Sequence, residues 1–394
     1  MLDFKTRMKT RILAILEAFL LVLVPMTAHA ASQSSTGDDR YFVQSTKPIF
    51  ETTFGARNVF SDGFTADLSG TQLWFAKFMG LKVYPVKRLN ILPDQAVATP
   101  RPSPTHQVPW GVALLQGDSA VPSGGASVSV AVLDTGVDTT HPDLASRIAE
   151  CKDFSGDQAV TDGSCDDQNG HGTHVAGIIA ADGGPDGKGI YGMAPGATLD
   201  AFKVCSDDGS CWSDDVAVAI RTAADDGANI INLSLGSDSA SSLISDAIDY
   251  ATGKGVLVVA AAGNDGPYPA SMDYPAALPG VVGVGALDAN RAIADWSSRG
   301  DNETTEPYSV QEGDIEFAAP GVNVESTYPG GYAILSGTSM ASPFVAGLSA
   351  RYWQFGATHP AEATRELLHS FAQSHDIPPV GDDDASGFGL PIAQ

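Results

Sequence analysis

The stretch Ser213-Asp-Asp-Val-Ala-Val-Ala-Ile220-Arg-Thr-Ala-Ala-Asp-Asp-Gly227-Ala-Asn-Ile230-Ile-Asn-Leu-Ser234-Leu-Gly236 decides the fold. Its first half reads as a helix. Ser213 is placed as N-cap, Asp214 and Asp215 suit the positive end of the helix dipole, Val216 to Ala224 form the body, and Gly227 ends it. Its second half, Ile230 to Leu235, is an apolar run of the kind found in buried strands. Working outward, similar runs occur at Val128 to Leu133, Val256 to Ala261 and Val281 to Val284, and a second helix is expected from about Ser242 to Thr252, before glycines 253 and 255. Strands that alternate with helices build parallel sheets, because a parallel neighbour needs a crossover. The fold class is therefore α/β, a doubly wound parallel sheet with helices on both faces. Chemistry in such sheets sits at the carboxyl ends of the strands.

The ends of the chain differ from this body. Residues 1–30 have the three parts of a secretory signal: Lys5, Arg7, Lys9 and Arg11, an apolar run from Ile12 to Val24, and Ala28-His29-Ala30, with cleavage expected after Ala30. Glu17 interrupts the run, which falls short of the roughly 20 residues that span a bilayer, so a membrane anchor is disfavoured. The protein is expected to be secreted and extracellular, with no membrane contact once the leader is gone. Four cysteines in that compartment point to disulfides; of three possible pairings, Cys151 with Cys165 and Cys205 with Cys211 closes the shortest loops. A four-thiolate zinc site is the rival, and it lacks the close paired spacing.

From His106 to the end there are 39 Asp and Glu against 10 Lys and Arg, whereas residues 31–105 carry 6 against 8. So acidic a body disfavours nucleic acid and anionic membrane as partners, and is compatible with bound cations or a salty habitat. Before the body, Gln72 to Phe78 and Leu81 to Val86 look strand-like, and the Pro/Thr/Ser-rich stretch from Ala98 to Gln107 reads as an exposed linker.

Three short motifs carry chemistry. Val130-Ala-Val-Leu-Asp134-Thr-Gly136 places a carboxylate at a strand end, where a burial-prone acid needs a partner, and a histidine is the obvious one. An aspartic protease would use the same tripeptide, but needs two such carboxylates, and no second Asp-Thr-Gly or Asp-Ser-Gly exists. Asn169-Gly-His171-Gly-Thr-His174-Val-Ala-Gly177 crowds a histidine with small residues at the start of a helix running to Ala181. A two-histidine zinc helix needs spacing i to i+4 with an intervening Glu, which this lacks. Ser336-Gly-Thr-Ser339-Met-Ala-Ser342-Pro343 sets a serine in a turn leading into a helix from Phe344 to Tyr352, with Ser336 and Ser342 as structural neighbours. A serine at a helix start has its own N–H directed at a developing anion.

With Asn232-Leu-Ser234-Leu-Gly236, Ala260-Ala-Ala-Gly-Asn264, Tyr274-Pro-Ala, Ala319-Pro-Gly321 and Gly387-Phe-Gly-Leu390, these motifs make the chain from about Val108 to Gln394 resemble the subtilisin-like serine proteases. The resemblance implies a serine endopeptidase in which Ser339 attacks the scissile carbonyl, His171 moves the proton, Asp134 orients the imidazole and Asn264 joins the Ser339 N–H in holding the oxyanion. It implies a polypeptide substrate lying as an added strand between Ser234, Leu235 and Gly236 on one side and the loop Asp207 to Trp212, with Ser210, on the other. Apolar residues on the acyl side of the scissile bond are typical of the family, although the motifs do not identify the floor of that pocket here. Structural calcium is implied too: Asp143 matches a ligand of the family's strong site, and Asp182 and Asp186 lie in the corresponding loop, which is two residues longer than usual, with Gln107 offset by one. By position and size, residues 31–100 resemble a small α+β propeptide that assists folding and then inhibits the 101–394 catalytic domain, with a cut between about Leu92 and His106. The mature enzyme is expected to be a monomer. The reading from another class is an inactive homologue that serves as a binding protein; a scaffold would not need Asp134, His171, Ser339 and Asn264 together.

Overall fold

The computed structural model describes residues 40–92, 100–118, 120–156, 160–302 and 310–393. The expected leader lies outside the described residues, as does the start of the linker. The chain divides into two units between Val86 and Lys87.

The first unit is α+β. Strands β1 (Arg40–Gln44), β2 (Phe64–Asp67) and β3 (Lys82–Pro85) form an antiparallel sheet with β1 in the middle. Helices α1 (Pro48–Phe54) and α2 (Gly70–Phe78) accompany it, over a core that includes Val43, Phe54, Phe64 and Ala76. The strand expected at Gln72 to Phe78 is thus a helix. Its signal is the capping box at its start: the Ser69 hydroxyl accepts from the Gln72 N–H at 3.3 Å, and the Gln72 side chain accepts from the Ser69 N–H at 3.0 Å.

In the second unit the strands are β4 (Arg88–Ile91), β5 (Ser129–Asp134), β6 (Ile148–Asp153), β7 (Thr161–Asp162), β8 (Thr198–Lys203), β9 (Ser210–Trp212), β10 (Ile230–Leu233), β11 (Leu235–Gly236), β12 (Leu257–Ala261), β13 (Val281–Leu287), β14 (Phe317–Pro320), β15 (Val324–Tyr328) and β16 (Gly331–Leu335). The helices are α3 (Trp110–Gln116), α4 (His171–Ala180), α5 (Ser213–Asp226), α6 (Ser242–Gly253), α7 (Thr338–Arg351) and α8 (Pro360–Gln373). Eight strands form the main sheet in the order β14-β13-β12-β10-β5-β8-β6-β7, parallel except for the last pair. Strand β10 and all of β12 and β13 are buried along their length, as expected when helices cover both faces. Helix α5 pairs with α6, and α4 pairs with α7.

Three local expectations shift. Trp212, in extended conformation, holds the cap position of α5, so Ser213 is the first helical residue and makes no side-chain cap; Gly227 ends the helix in the left-handed region at φ 88°. Helix α7 starts at Thr338, not Phe344, and takes in Pro343. Strand β8 escapes the apolar patterns because Asp200 and Lys203 interrupt it; both are buried and satisfied, Asp200 accepting from Ser129 Oγ at 2.5 Å and Lys203 donating to the Thr135 carbonyl at 2.7 Å. Both disulfides form as expected, Cys151–Cys165 and Cys205–Cys211. Among the described residues no helix is long and apolar enough to cross a membrane.

Candidate active site

Asp134 is the last residue of β5, the strand from which the sheet order runs in two directions, so its carboxylate faces the crevice where the connections part. It is fully buried and accepts through Oδ1 from the Thr135 N–H at 2.7 Å and from Nδ1 of His171 at 2.8 Å. Because a carboxylate accepts, this contact puts the imidazole proton on Nδ1 and leaves Nε2 as the basic atom.

His171 is the first residue of α4, and the turn before it is gathered by a residue the motifs did not single out. Buried Asp167 accepts through Oδ1 from the Asn169 and Gly170 N–H groups and from Thr135 Oγ1, at 3.1, 2.8 and 2.9 Å. Through Oδ2 it accepts from Thr173 N and Oγ1, at 2.8 and 2.6 Å. An acid four residues before a helical histidine is the sequence signal, since Asp at helix starts satisfies orphan N–H groups. Close approach explains the small neighbours: a Cβ on Gly172 would collide with the Gly136 carbonyl oxygen, and one on Gly177 with Thr327 Oγ1.

Ser339 lies in the first turn of α7, which packs against α4. Its hydroxyl donates to the Ser234 carbonyl at 3.3 Å. Pro343 has no N–H to give the Ser339 carbonyl four residues earlier, and the Ser234 hydroxyl takes that carbonyl instead at 2.9 Å. Ser234 is itself steadied by Asn232 Nδ2 at 3.1 Å and by Ser342 Oγ at 3.0 Å, so Ser342 has the structural role expected, as does Ser336, which accepts from Asn323 N at 2.8 Å.

Asn264 follows β12. Its Oδ1 accepts from both N and Oγ1 of Thr338, each at 3.0 Å, and this network orients the amide. A Cβ built on Gly337 would lie 3.4 Å from Asn264 Nδ2 and 3.7 Å from Ser339 N. Two N–H donors therefore border one small space beside the serine, which is the arrangement that holds an oxyanion.

The slot in which the resemblance expects a substrate strand is filled by a strand of this unit. Strand β4 runs antiparallel between β11 and β9, with Asn90 opposite both Gly236 and Ser210, and Ile91 opposite Leu235. Continuing this register by one residue leads from Ile91 to Leu92 and from Leu235 to Ser234, whose carbonyl accepts the Ser339 hydroxyl. Ser210 is also tied to its own loop, donating through Oγ to Asp208 at 2.9 Å, while Cys205–Cys211 staples that loop at its base.

The three acids read as calcium ligands separate. Asp143 is buried; its Oδ2 accepts from Ile190 N and the Tyr332 hydroxyl, each at 2.8 Å, while Oδ1 faces a loop where Gly184 and Gly189 leave no room for a side chain. Gln107 reaches the same loop despite its offset, donating to the Gly187 carbonyl. A buried carboxylate oxygen beside a tight glycine loop is a donor of the kind that a hard cation takes. Asp182 directs its Oδ2 to Arg147 at 3.1 Å and to Ser146 while its Oδ1 accepts from the Gly184 N–H at 3.0 Å, and Asp186 is exposed beside Lys188. The zinc alternative fails on geometry. His174 donates through Nε2 to the Val324 and Ala333 carbonyls at 3.1 and 3.2 Å, and burial, with His171 nearby, lowers its pKa to about 3, so it is a neutral strut between α4 and the β15–β16 hairpin.

Residues 125–389 match the model of the subtilase family. The chain is 44% identical over 360 residues to a subtilisin from Bacillus sp. strain TA39, covering 84% of each protein. It is 41% identical over 292 residues to Subtilisin Savinase from Lederbergia lenta, covering 73% of this chain and 98% of that one. Among solved structures, Sphericase superposes with a TM-score of 0.71 at 47% identity, over 74% of this chain and all of the other. With the parallel sheet and the crevice at its carboxyl edge, these matches show that the chain belongs to the subtilase family and is a serine endopeptidase of the subtilisin type.

Proposed function

We propose that Asp134, His171 and Ser339 are the catalytic triad of this endopeptidase and that Asn264 is the side-chain donor of its oxyanion hole. The observation that carries the reading is the buried 2.8 Å contact of His171 Nδ1 with Asp134, combined with the space shared by Ser339 N and Asn264 Nδ2. A serine hydroxyl is a poor nucleophile near neutral pH and needs a base whose tautomer is fixed. A peptide laid between β11 and β9, where β4 lies, brings its carbonyl to Ser339. As Oγ bonds to the carbonyl carbon, His171 Nε2 takes the hydroxyl proton, and the imidazolium is stabilised by Asp134. The carbonyl oxygen, now anionic, accepts from Ser339 N and Asn264 Nδ2. Collapse breaks the C–N bond, His171 gives its proton to the leaving amine, and an acyl-enzyme remains. Water, deprotonated by the same imidazole, then releases the acid. Loss of the side-chain oxyanion donor in subtilisin costs about 100- to 1000-fold in kcat, and a loss of the same order is expected for Asn264→Ala.

The chain is further read as a secreted, monomeric proenzyme: a leader over 1–30, a propeptide over 31–100 that acts as an intramolecular inhibitor, and self-cleavage between about Leu92 and His106. The strand β4 supports this, since a segment of the precursor fills the slot the substrate would take. Structural calcium at Asp143 and the loop 183–190 completes the reading; the ion would neutralise a buried carboxylate and brace the loop, and takes no part in bond cleavage.

The test is to express Ser339→Ala beside the wild type. The expected result is accumulated proform and loss of peptide hydrolysis in the variant alone; equal processing and hydrolysis in both would refute the triad. Thermal unfolding with and without a calcium chelator checks the metal, with a lower midpoint expected in chelator and an unchanged one counting against it.

A further inference from the structure

The cleft beside Asn264 is an open cavity of about 370 Å³ bordered by Leu92, Gly236, Asn264 and three acids, Asp238, Asp265 and Asp273. Each of the three offers a carboxylate oxygen within 4.8 Å of the other two. Asp238 and Asp265 are exposed at the rim, whereas Asp273 is only 4% exposed. Beneath the substrate slot its carboxylate lies against two glycines: Cβ atoms built on Gly236 and Gly263 would each come within 2.9 Å of its Oδ2. No hydrogen bond or ion pair reaches this carboxylate from the described residues. Lys87, which does not line the cavity, is engaged by Ser239 Oγ at 3.0 Å and the Ala240 carbonyl at 2.5 Å, to both of which it donates. A buried carboxylate without partners is costly and is retained where a ligand supplies what the fold does not.

We propose that this cavity selects a cationic side chain, lysine or arginine, at the substrate position immediately before the scissile bond, and that Asp273 at its base is the specificity-determining residue. The inference rests on the reading of Ser339 and Asn264 as the reacting centre, and it departs from the apolar preference that the family resemblance implies. The register supports it. Asn90 pairs with Gly236 and Ile91 with Leu235, so continuing the register sets the next residue, Leu92, at the level of Ser234, and Leu92 borders the cavity. The methylene stem of a lysine follows the path of the leucine past Gly236, and its ammonium continues toward the carboxylates, so that charge meets charge. Burial, with Asp265 and then Asp238 adding like charge, raises the Asp273 carboxyl to about 7, so the base of the cavity becomes anionic in the mildly alkaline range. Leucine in the precursor is no objection, since a tethered segment reaches the slot without needing an optimal side chain.

The test compares peptides that differ only in lysine or norleucine before the scissile bond, two side chains of similar length with and without the charge. At pH 9, wild-type kcat/KM is expected to favour lysine by roughly tenfold or more, and Asp273→Asn to remove most of that ratio. Asp265→Asn, on an exposed position, is expected to lower the ratio severalfold even if the Asp273 variant does not fold. Equal or better cleavage of the norleucine peptide by the wild type, or a ratio unchanged in both variants, would overturn the proposal. So would a ratio that changes with added calcium or magnesium at constant ionic strength, which would assign the carboxylates to a metal ion. Phosphonate reagents carrying the same two side chains separate this idea from the one beneath it. Reaction with both at equal rates indicts Asp273 alone, whereas reaction with neither indicts Ser339 and overturns both.

Discussion

Two buried acids in the second unit meet opposite surroundings. Glu316, just before β14, faces α8, where Arg365 donates to it at 2.7 and 2.5 Å and His369 contacts it at 2.7 Å. Burial alone would raise its pKa, but the Arg365 charge and the hydrogen bonds from His369 and Arg365 outweigh it and hold the carboxyl down to about 2. Asp273, in the cleft, has burial and two like charges acting the same way, and sits near 7. The difference separates a carboxylate that belongs to the architecture from one left for something outside it.

That contrast can be broken by mutation. The largest effect is expected for Glu316→Ala, which strands Arg365 and His369 and should cost about 3–5 kcal/mol in urea denaturation at pH 7. Its pH signature has a definite sign: with the folded pKa below the unfolded value of 4.5, the Glu316 contribution is present above about pH 4.5 and is lost as pH falls toward 2, and the variant should lack that acid limb. Asp167→Ala comes next. It removes one acceptor from five donors at the start of α4, and should lower stability by about 2–3 kcal/mol and kcat with it, with Asn at this position restoring part of each. Asp273→Asn is the smallest and of opposite sign. Native Asp273 keeps a proton that the unfolded chain releases, so stability declines as pH rises from about 4 to about 7 and is level above. The variant should therefore match the wild type near pH 4 and exceed it by about 1–3 kcal/mol at pH 9; a Tm difference independent of pH would remove the distinction drawn between the two acids.

The sheet was legible in the sequence where strands are buried on both faces, because Ile230 to Leu233 and Val281 to Val284 have no polar face to disguise them. It was less legible at β8, where Asp200 is satisfied by Ser129, and Lys203 by the Thr135 carbonyl and Asp207, through contacts made only in space. In α2 the alternation of Leu73 and Phe75 imitated a strand, and the capping pair Ser69 and Gln72 was the better guide. The candidate triad and Asn264 stood out through small, turn-forming neighbours packed around them. Asp273 did not, since its meaning comes from Asp238 and Asp265 approaching it through space. Asp143 matched a motif and Asp182 only lay in the corresponding loop; what separates them in space is the burial of Asp143 against Ile190 and Tyr332 and the contact of Asp182 with Arg147.

The strand β4 enters the cleft as part of the same polypeptide. Dilution cannot release such an occupant, whose effective concentration is set by the length of its tether and not by the number of molecules in solution. On the proposed reading of this segment as a self-cleaved propeptide, onset of activity should follow first-order kinetics at any protein concentration, and a competing peptide would have to reach the millimolar range to displace the tethered strand.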